Sequence, residues 1–117
     1  MYYKLTENHQ AIPCRDVIEW ADWCSKADRL LAQDILPGGI IVSTLFVGLD
    51  YSFGLGPPLL WQTMILGARA DPYQERYPSE ALARAGHERA VAAAISQMPR
   101  SRRCWQWLAR RWPWATN

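Results

Sequence analysis

Ile40-Ile41-Val42-Ser43-Thr44-Leu45-Phe46-Val47-Gly48-Leu49 runs into a loop from Asp50 to Pro58, then into Leu59-Leu60-Trp61-Gln62-Thr63-Met64-Ile65-Leu66. Two apolar, β-prone runs thus flank a hinge that holds Gly54, Gly56, Pro57 and Pro58. Branching at Cβ in Ile40, Ile41, Val42, Thr44 and Val47 favours extended backbone. The glycines and prolines preclude regular pairing in the hinge. Its length suits an antiparallel return, so residues 40–66 predict two adjacent strands of one sheet.

Working outward, Pro37-Gly38-Gly39 separates this segment from another apolar run, Leu30–Leu36. Glycine reaches positive φ without strain, so the tripeptide predicts a hairpin of Leu30–Leu36 with Ile40–Leu49. Tyr2–Thr6 has strand character, with Lys4 blunting it as an edge, and a polar turn follows at Glu7–Gln10. Pro13 leads into a helix capped by Asp16, with Glu19 placed as in a capping box. Val17, Trp20, Ala21 and Cys24 recur at helical spacing and predict its inner face. Its end falls between Ser25 and Asp28. Gly67–Pro78 reads as a connection. Ser79 caps a second, alanine-rich helix, with Glu80 in its first turn. Its inner stripe gathers Ala83, His87, Ala90, Val91, Ala94, Ile95 and Met98, and Pro99 stops it. The expected architecture is α+β: a small antiparallel sheet of three to four strands with one or two helices on one face. Residues 1–98 form that domain and 99–117 a C-terminal extension.

At 117 residues this is the length of a single domain, and with half its residues hydrophobic a core needs neither metal nor disulfide staples. The apolar runs fall short of the roughly 18–20 residues that span a bilayer. No segment has the build of a leader peptide, and the expectation is a cytoplasmic protein. Three widely spaced cysteines, Cys14, Cys24 and Cys104, argue for reduced thiols rather than a disulfide framework or a zinc site. No cofactor is expected.

The formal charge of +2 conceals a division. Residues 1–97 carry 8 basic and 11 acidic side chains, a net of −3, whereas 98–117 hold five arginines, no acid and four of the seven tryptophans. Trp105, Leu108, Ala109 and Trp112 share one side of a short basic amphipathic helix over 102–112, ended by Pro113. Arg103, Arg110 and Arg111 take the other side. Such a helix suits an anionic membrane surface, nucleic acid or a partner protein, where tryptophan and arginine dominate hot spots. The plainer reading has its tryptophan side folding back on the sheet.

Reactive constellations are sparse. The Gly48–Pro58 loop contains Gly-x-Gly but neither a dinucleotide fingerprint nor a Gly-Lys-Ser/Thr, and prolines stand where amide donors are needed. A Ser-His-Asp arrangement requires Ser43 or Ser52 beside His87 with Asp50 behind it. His87 lies on the apolar stripe, and the plainer reading is a hydrogen-bonded core histidine. The carboxylates fall into caps and helical pairs such as Glu80–Arg84. No catalytic residue and no metal ligand is assigned.

Val42-Ser43-Thr44-Leu45-Phe46-Val47-Gly48-Leu49-Asp50, then Phe53-Gly54, Gly56-Pro57-Pro58 and Thr63-Met64, resembles the core of a group of small uncharacterised proteins encoded by phages, prophages and related mobile elements. Arg76-Tyr77 and Gly86-His87 extend the likeness, which covers roughly residues 2–96. Tyr51 and Gln62 stand where that group often has His and Glu. The resemblance implies context, not mechanism. The expectation is a non-enzymatic protein that binds a host protein or ribonucleoprotein complex, most concretely an anti-CRISPR-like inhibitor of a bacterial defence complex. Arg102, Arg103, Trp105, Arg110 and Trp112 are the expected contacts, with Tyr51 and Phe53 of the loop second. The alternatives are a nucleic-acid-binding accessory protein using the same tail, and a small enzyme centred on His87.

Overall fold

A computed structural model of the chain describes residues 1–50, 52, 54–67 and 73–97. Its centre is a four-stranded antiparallel sheet of β3 (Leu30–Leu36), β4 (Ile40–Phe46), β5 (Trp61–Leu66) and β6 (Tyr73–Tyr77), in that spatial order. Each strand pairs with its neighbour in sequence, as short connections favour. The β3–β4 hairpin closes with Leu36 opposite Ile40. Gly38 (φ 84°) and Gly39 (φ 78°) take the left-handed region that this three-residue turn requires. The fold class is α+β, as expected from the sequence.

Alternation along β4 buries Val42, Thr44 and Phe46 on one face. Helix α2 (Glu80–Ser96) covers that face. The Ser79 hydroxyl accepts from the Leu82 amide at 3.2 Å and so caps its first turn. Ala83, Gly86, His87, Ala90, Val91 and Ala94 are buried, so the described part of the stripe read from sequence is the inner face. Small residues let the helix approach closely. Its second half packs on Leu36 and Val42, and its first turns meet Phe46, Leu60, Trp61 and Tyr77. At Gly86 a Cβ would overlap the Tyr77 ring and hydroxyl.

Three expectations need correction. Residues 67–78 are not all connection, because Tyr73–Tyr77 form β6. Tyr73, Glu75 and Tyr77 share the α2 side while Gln74 and Arg76 take the other, a period of two concealed by the charged residues. The stretch before the first helix is also a strand. Ala11–Cys14 form β2, which pairs with β1 (Tyr2–Leu5) in a two-stranded sheet. Pro13 is tolerated because alternate residues of such a ribbon need no amide donor.

The third concerns helix α1 (Val17–Lys26). Asp16 caps it, accepting from the amides of Ile18 (2.9 Å) and Glu19 (3.4 Å). Trp20 and Cys24 are half-buried as expected, yet Val17 and Ala21 are exposed, and Trp23 turns inward in their place. The reason is the site of docking. The helix packs on the small sheet, where the Trp20 indole N–H donates to the Tyr3 carbonyl at 2.9 Å and the ring lies 4.7 Å from that of Tyr2. Trp23 meets Phe46 edge-on at 5.9 Å. Glu19 is drawn to Lys4 at 2.7 Å.

The two sheets are joined where β4 ends. Tyr3 N–H donates to the Gly48 carbonyl at 2.7 Å, and Asp50 N–H to that of Met1 at 3.1 Å. At its other end the small sheet is pinned to α2, with the His9 ring Nδ1 2.7 Å from a Glu80 carboxylate oxygen. The His9 bond, with Arg84 beside it, holds the Glu80 carboxyl below its usual range, against a smaller opposing effect of burial.

Gly86→Ala forces Tyr77 aside and is expected to cost about 1–3 kcal/mol, the usual range for overpacking, read as a lower urea midpoint. A carboxyl made more acidic by folding adds stability above its unfolded pKa and loses it as pH falls through the folded one. From about pH 5 downward the protein should therefore lose stability that Glu80→Gln does not have to lose. The urea midpoints of the two chains should converge on acidification, and parallel profiles would contradict the contact.

Candidate functional site: a buried histidine relay

His87 is 1% exposed, and both of its ring nitrogens are engaged. Nε2 lies 2.7 Å from Asp34 Oδ2 on β3, and Nδ1 lies 2.7 Å from Thr44 Oγ1 on β4. Thr44 Oγ1 in turn meets Thr63 Oγ1 on β5. The register puts Thr44 directly opposite Thr63, which brings their hydroxyls together on the face under α2. One helix and three strands thus each contribute a member.

The direction of the bonds follows from what each group can give. An ionised carboxylate only accepts, so Nε2–H donates to Asp34. With a neutral ring Nδ1 accepts from the Thr44 hydroxyl, and Thr44 accepts from Thr63. Every donor then has an acceptor, a condition for burying a polar chain without penalty.

Hydroxyl, imidazole and carboxylate are linked here in the order of a nucleophile–base–acid triad. Exposure decides against that chemistry. Thr44 and Thr63 are 0% exposed, and α2 lies over them, so no substrate carbonyl reaches the hydroxyl. Asp34, with its side chain 17% exposed, is the member nearest to water. The arrangement fixes α2 on the sheet.

The residues proposed from sequence for an enzyme are not brought together. Ser43 lies on the sheet face opposite to Thr44. Asp50 organises its own loop, its carboxylate accepting from the amides of Ser52 (2.8 Å) and Leu59 (3.4 Å). Those bonds, with the nearby N-terminus, hold its carboxyl below the usual range. Tyr51, Phe53, Arg102, Arg103, Trp105, Arg110 and Trp112 lie outside the described residues, as do Met98 and Cys104. Cys14 and Cys24 are free thiols, Cys14 buried. Among the described residues no three His, Cys, Asp or Glu side chains gather into a metal site, and no helix is long and apolar enough to cross a membrane.

Sequence reasoning found His87 and missed its partners. The available signal was Asp34, a charge inside an apolar strand at a position shared with Leu36. An inward carboxylate needs a donor, and His87 is the one that the α2 stripe offers.

His87→Ala takes the imidazole from both Asp34 and Thr44 and opens a cavity in the core. It should cost about 3–5 kcal/mol, compared with about 1 kcal/mol for Thr63→Val, which removes only the terminal donor. Urea unfolding of the two variants tests the order, and equal losses would show that the relay is not continuous. No protein-family model matches this sequence, and no curated protein or solved structure matches it.

Proposed function

We propose that this chain is a non-enzymatic phage or mobile-element protein that occupies a surface on a host protein, most concretely as an inhibitor of a bacterial defence complex. One observation carries the non-enzymatic part: the reactive relay of the described residues is sealed beneath α2. The host-directed part is supported by the resemblance of residues 2–96 to phage-encoded proteins. Contact is assigned to the C-terminal segment, its arginines first, because five positive charges without an acid stand against a body of net −3. Such segregation steers a chain towards an acidic partner.

The test is infection of a host that carries an active CRISPR complex, with the protein supplied in trans. The chain is expected to raise plaquing of a targeted phage and to bind the purified complex. Changing Arg102, Arg103 and Arg110 to Glu should abolish the rise and weaken binding by at least roughly 30-fold, the loss of one hot spot. Normal interference across a panel of such complexes would overturn the inhibitor reading.

The arginine block also favours a second reading, an accessory protein on nucleic acid. If all five arginines meet phosphates of duplex DNA, log affinity falls with log salt at a slope of about −4.5. A shallow slope excludes it.

A further inference from the structure

The relay of hydrogen bonds ends at Thr63, but polar side chains continue beyond it. On the face under α2 the register sets Thr44 opposite Thr63, and Thr63 opposite Glu75 of β6. Tyr77 stands two residues beyond Glu75 on the same face and is 4% exposed. Its hydroxyl is buried and makes no hydrogen bond among the described residues. It presses on the α2 backbone at Gly86, the neighbour of His87. A phenol taken out of water normally finds a partner, and an orphaned one forfeits its hydration without return. Burial pushes the Tyr77 phenol above its usual range, a bond from Thr63 draws it down, and Glu75 pushes it up, so Thr63 and Glu75 flank it.

We propose that Tyr77 closes the polar chain between Thr63 and Glu75, so that the chain runs in either direction and carries a proton from the β6 surface to His87. Donors and acceptors balance both ways. With a neutral ring, Tyr77 donates to Thr63, Thr63 to Thr44 and Thr44 to Nδ1, while Nε2–H donates to Asp34. With a protonated ring, Nδ1–H donates to Thr44, Thr44 to Thr63, Thr63 to Tyr77 and Tyr77 to Glu75. Glu75 has room for that bond. One of its oxygens accepts from Tyr73 at 2.7 Å and the other lies 3.5 Å from Arg89, whereas a carboxylate offers about four acceptor sites. Without Tyr77 the second state strands the Thr63 hydroxyl in the core.

One hop at each link converts the first state into the second. A solvent proton on Glu75, whose side chain is 41% exposed, passes to the Tyr77 oxygen. Tyr77 gives its own proton to Thr63, Thr63 to Thr44, and Thr44 to Nδ1. Each hydroxyl oxygen breaks one O–H bond and forms one, Glu75 returns to carboxylate, and the imidazole gains the proton. His87 ends as an imidazolium against the Asp34 carboxylate, a charge-assisted bond. The titratable groups that the sheet turns to this face are Asp34 of β3 and Tyr73, Glu75 and Tyr77 of β6, since β4 and β5 send only uncharged residues there. Arg84, Glu88 and Arg89 of α2 itself are exposed, and His9 meets the helix two turns away at Glu80. A relay closed to substrates thus stays open to protons, and this holds whatever partner the chain binds.

Two measurements on the full chain decide the matter. In the first, the protein labelled with 13C in its histidine and tyrosine rings is acidified while the amide spectrum reports an intact fold. His87 is expected to take up a proton before unfolding, with the exposed His9 as the reference for an ordinary imidazole. The Tyr77 Cζ resonance should move with the same midpoint as His87, because its hydroxyl changes from donor to acceptor towards Thr63. Unfolding before His87 is protonated would overturn the proposal, as would a Tyr77 resonance that ignores the His87 transition. In the second, Tyr77→Phe and Thr63→Val each cut the chain and should lower the His87 midpoint by about one pH unit or more, the equivalent of one orphaned hydroxyl. Together they should lower it no further than Thr63→Val alone, and Thr63→Ser should keep the midpoint of the unaltered chain. Additive shifts, the mark of a core merely loosened, would overturn the proposal, as would an unmoved midpoint in Tyr77→Phe. The first measurement needs no variant, so it stands even where a substitution prevents folding.

Discussion

An imidazole with a partner on each nitrogen can sit in only one place. His87 reaches β3 through Asp34 and β4 through Thr44, and Thr44 passes the connection to β5 through Thr63. Apolar packing alone would let an alanine-rich helix slide along or rotate on the sheet, since its shallow surface offers few knobs. Displacing α2 by one turn would take the imidazole away from both Asp34 and Thr44, and the Thr44 hydroxyl would lose its acceptor in the core. That penalty, charged to every competing register, gives the helix a single seat.

Around that seat the core divides into two clusters. One lies beneath the second half of α2 and is built of aliphatic and alanine side chains. The other is aromatic, with Phe46 at its centre, meeting Trp61 at 5.0 Å on one side and Trp23 on the other. Phe46 is therefore where three parts of the molecule converge: the main sheet, helix α2 and the α1 layer with its small sheet. The backbone bonds of Gly48 to Tyr3 and of Asp50 to Met1 follow closely after it. A change at Phe46 would loosen the joint between the two sheets as well as the core itself.

Much of this was legible in the sequence wherever local rules and burial agree. The Pro-Gly-Gly turn, both helix caps and the α2 stripe are local signals, and β4 and β5 are apolar runs with two covered ends. The strands that escaped notice are β2 and β6. The first contains a proline and the second two charged residues, and each is a strand because of the neighbour that it pairs with. The inner face of α1 was misjudged for a related reason. Periodicity locates an apolar stripe, but which of two overlapping stripes turns inward depends on what stands nearby, here Tyr2, Tyr3 and Phe46. The relay was half legible: a histidine on an apolar stripe announces a need for partners, while the pairing of Thr44 with Thr63 is a fact of register.

Asp34 has a second consequence, for life in a crowded solution. It sits on β3, the outermost strand of the described sheet, whose outer edge of amides and carbonyls pairs with no described strand. A flat apolar strand in that position invites stacking of one molecule on the next. A carboxylate committed to the interior does not survive the exchange, because a β3 that peeled away to pair elsewhere would abandon its imidazole. The shift of register between Leu30 and Ala32 adds a twist to the same edge. The side chain that holds the helix in register thus also discourages the sheet from growing.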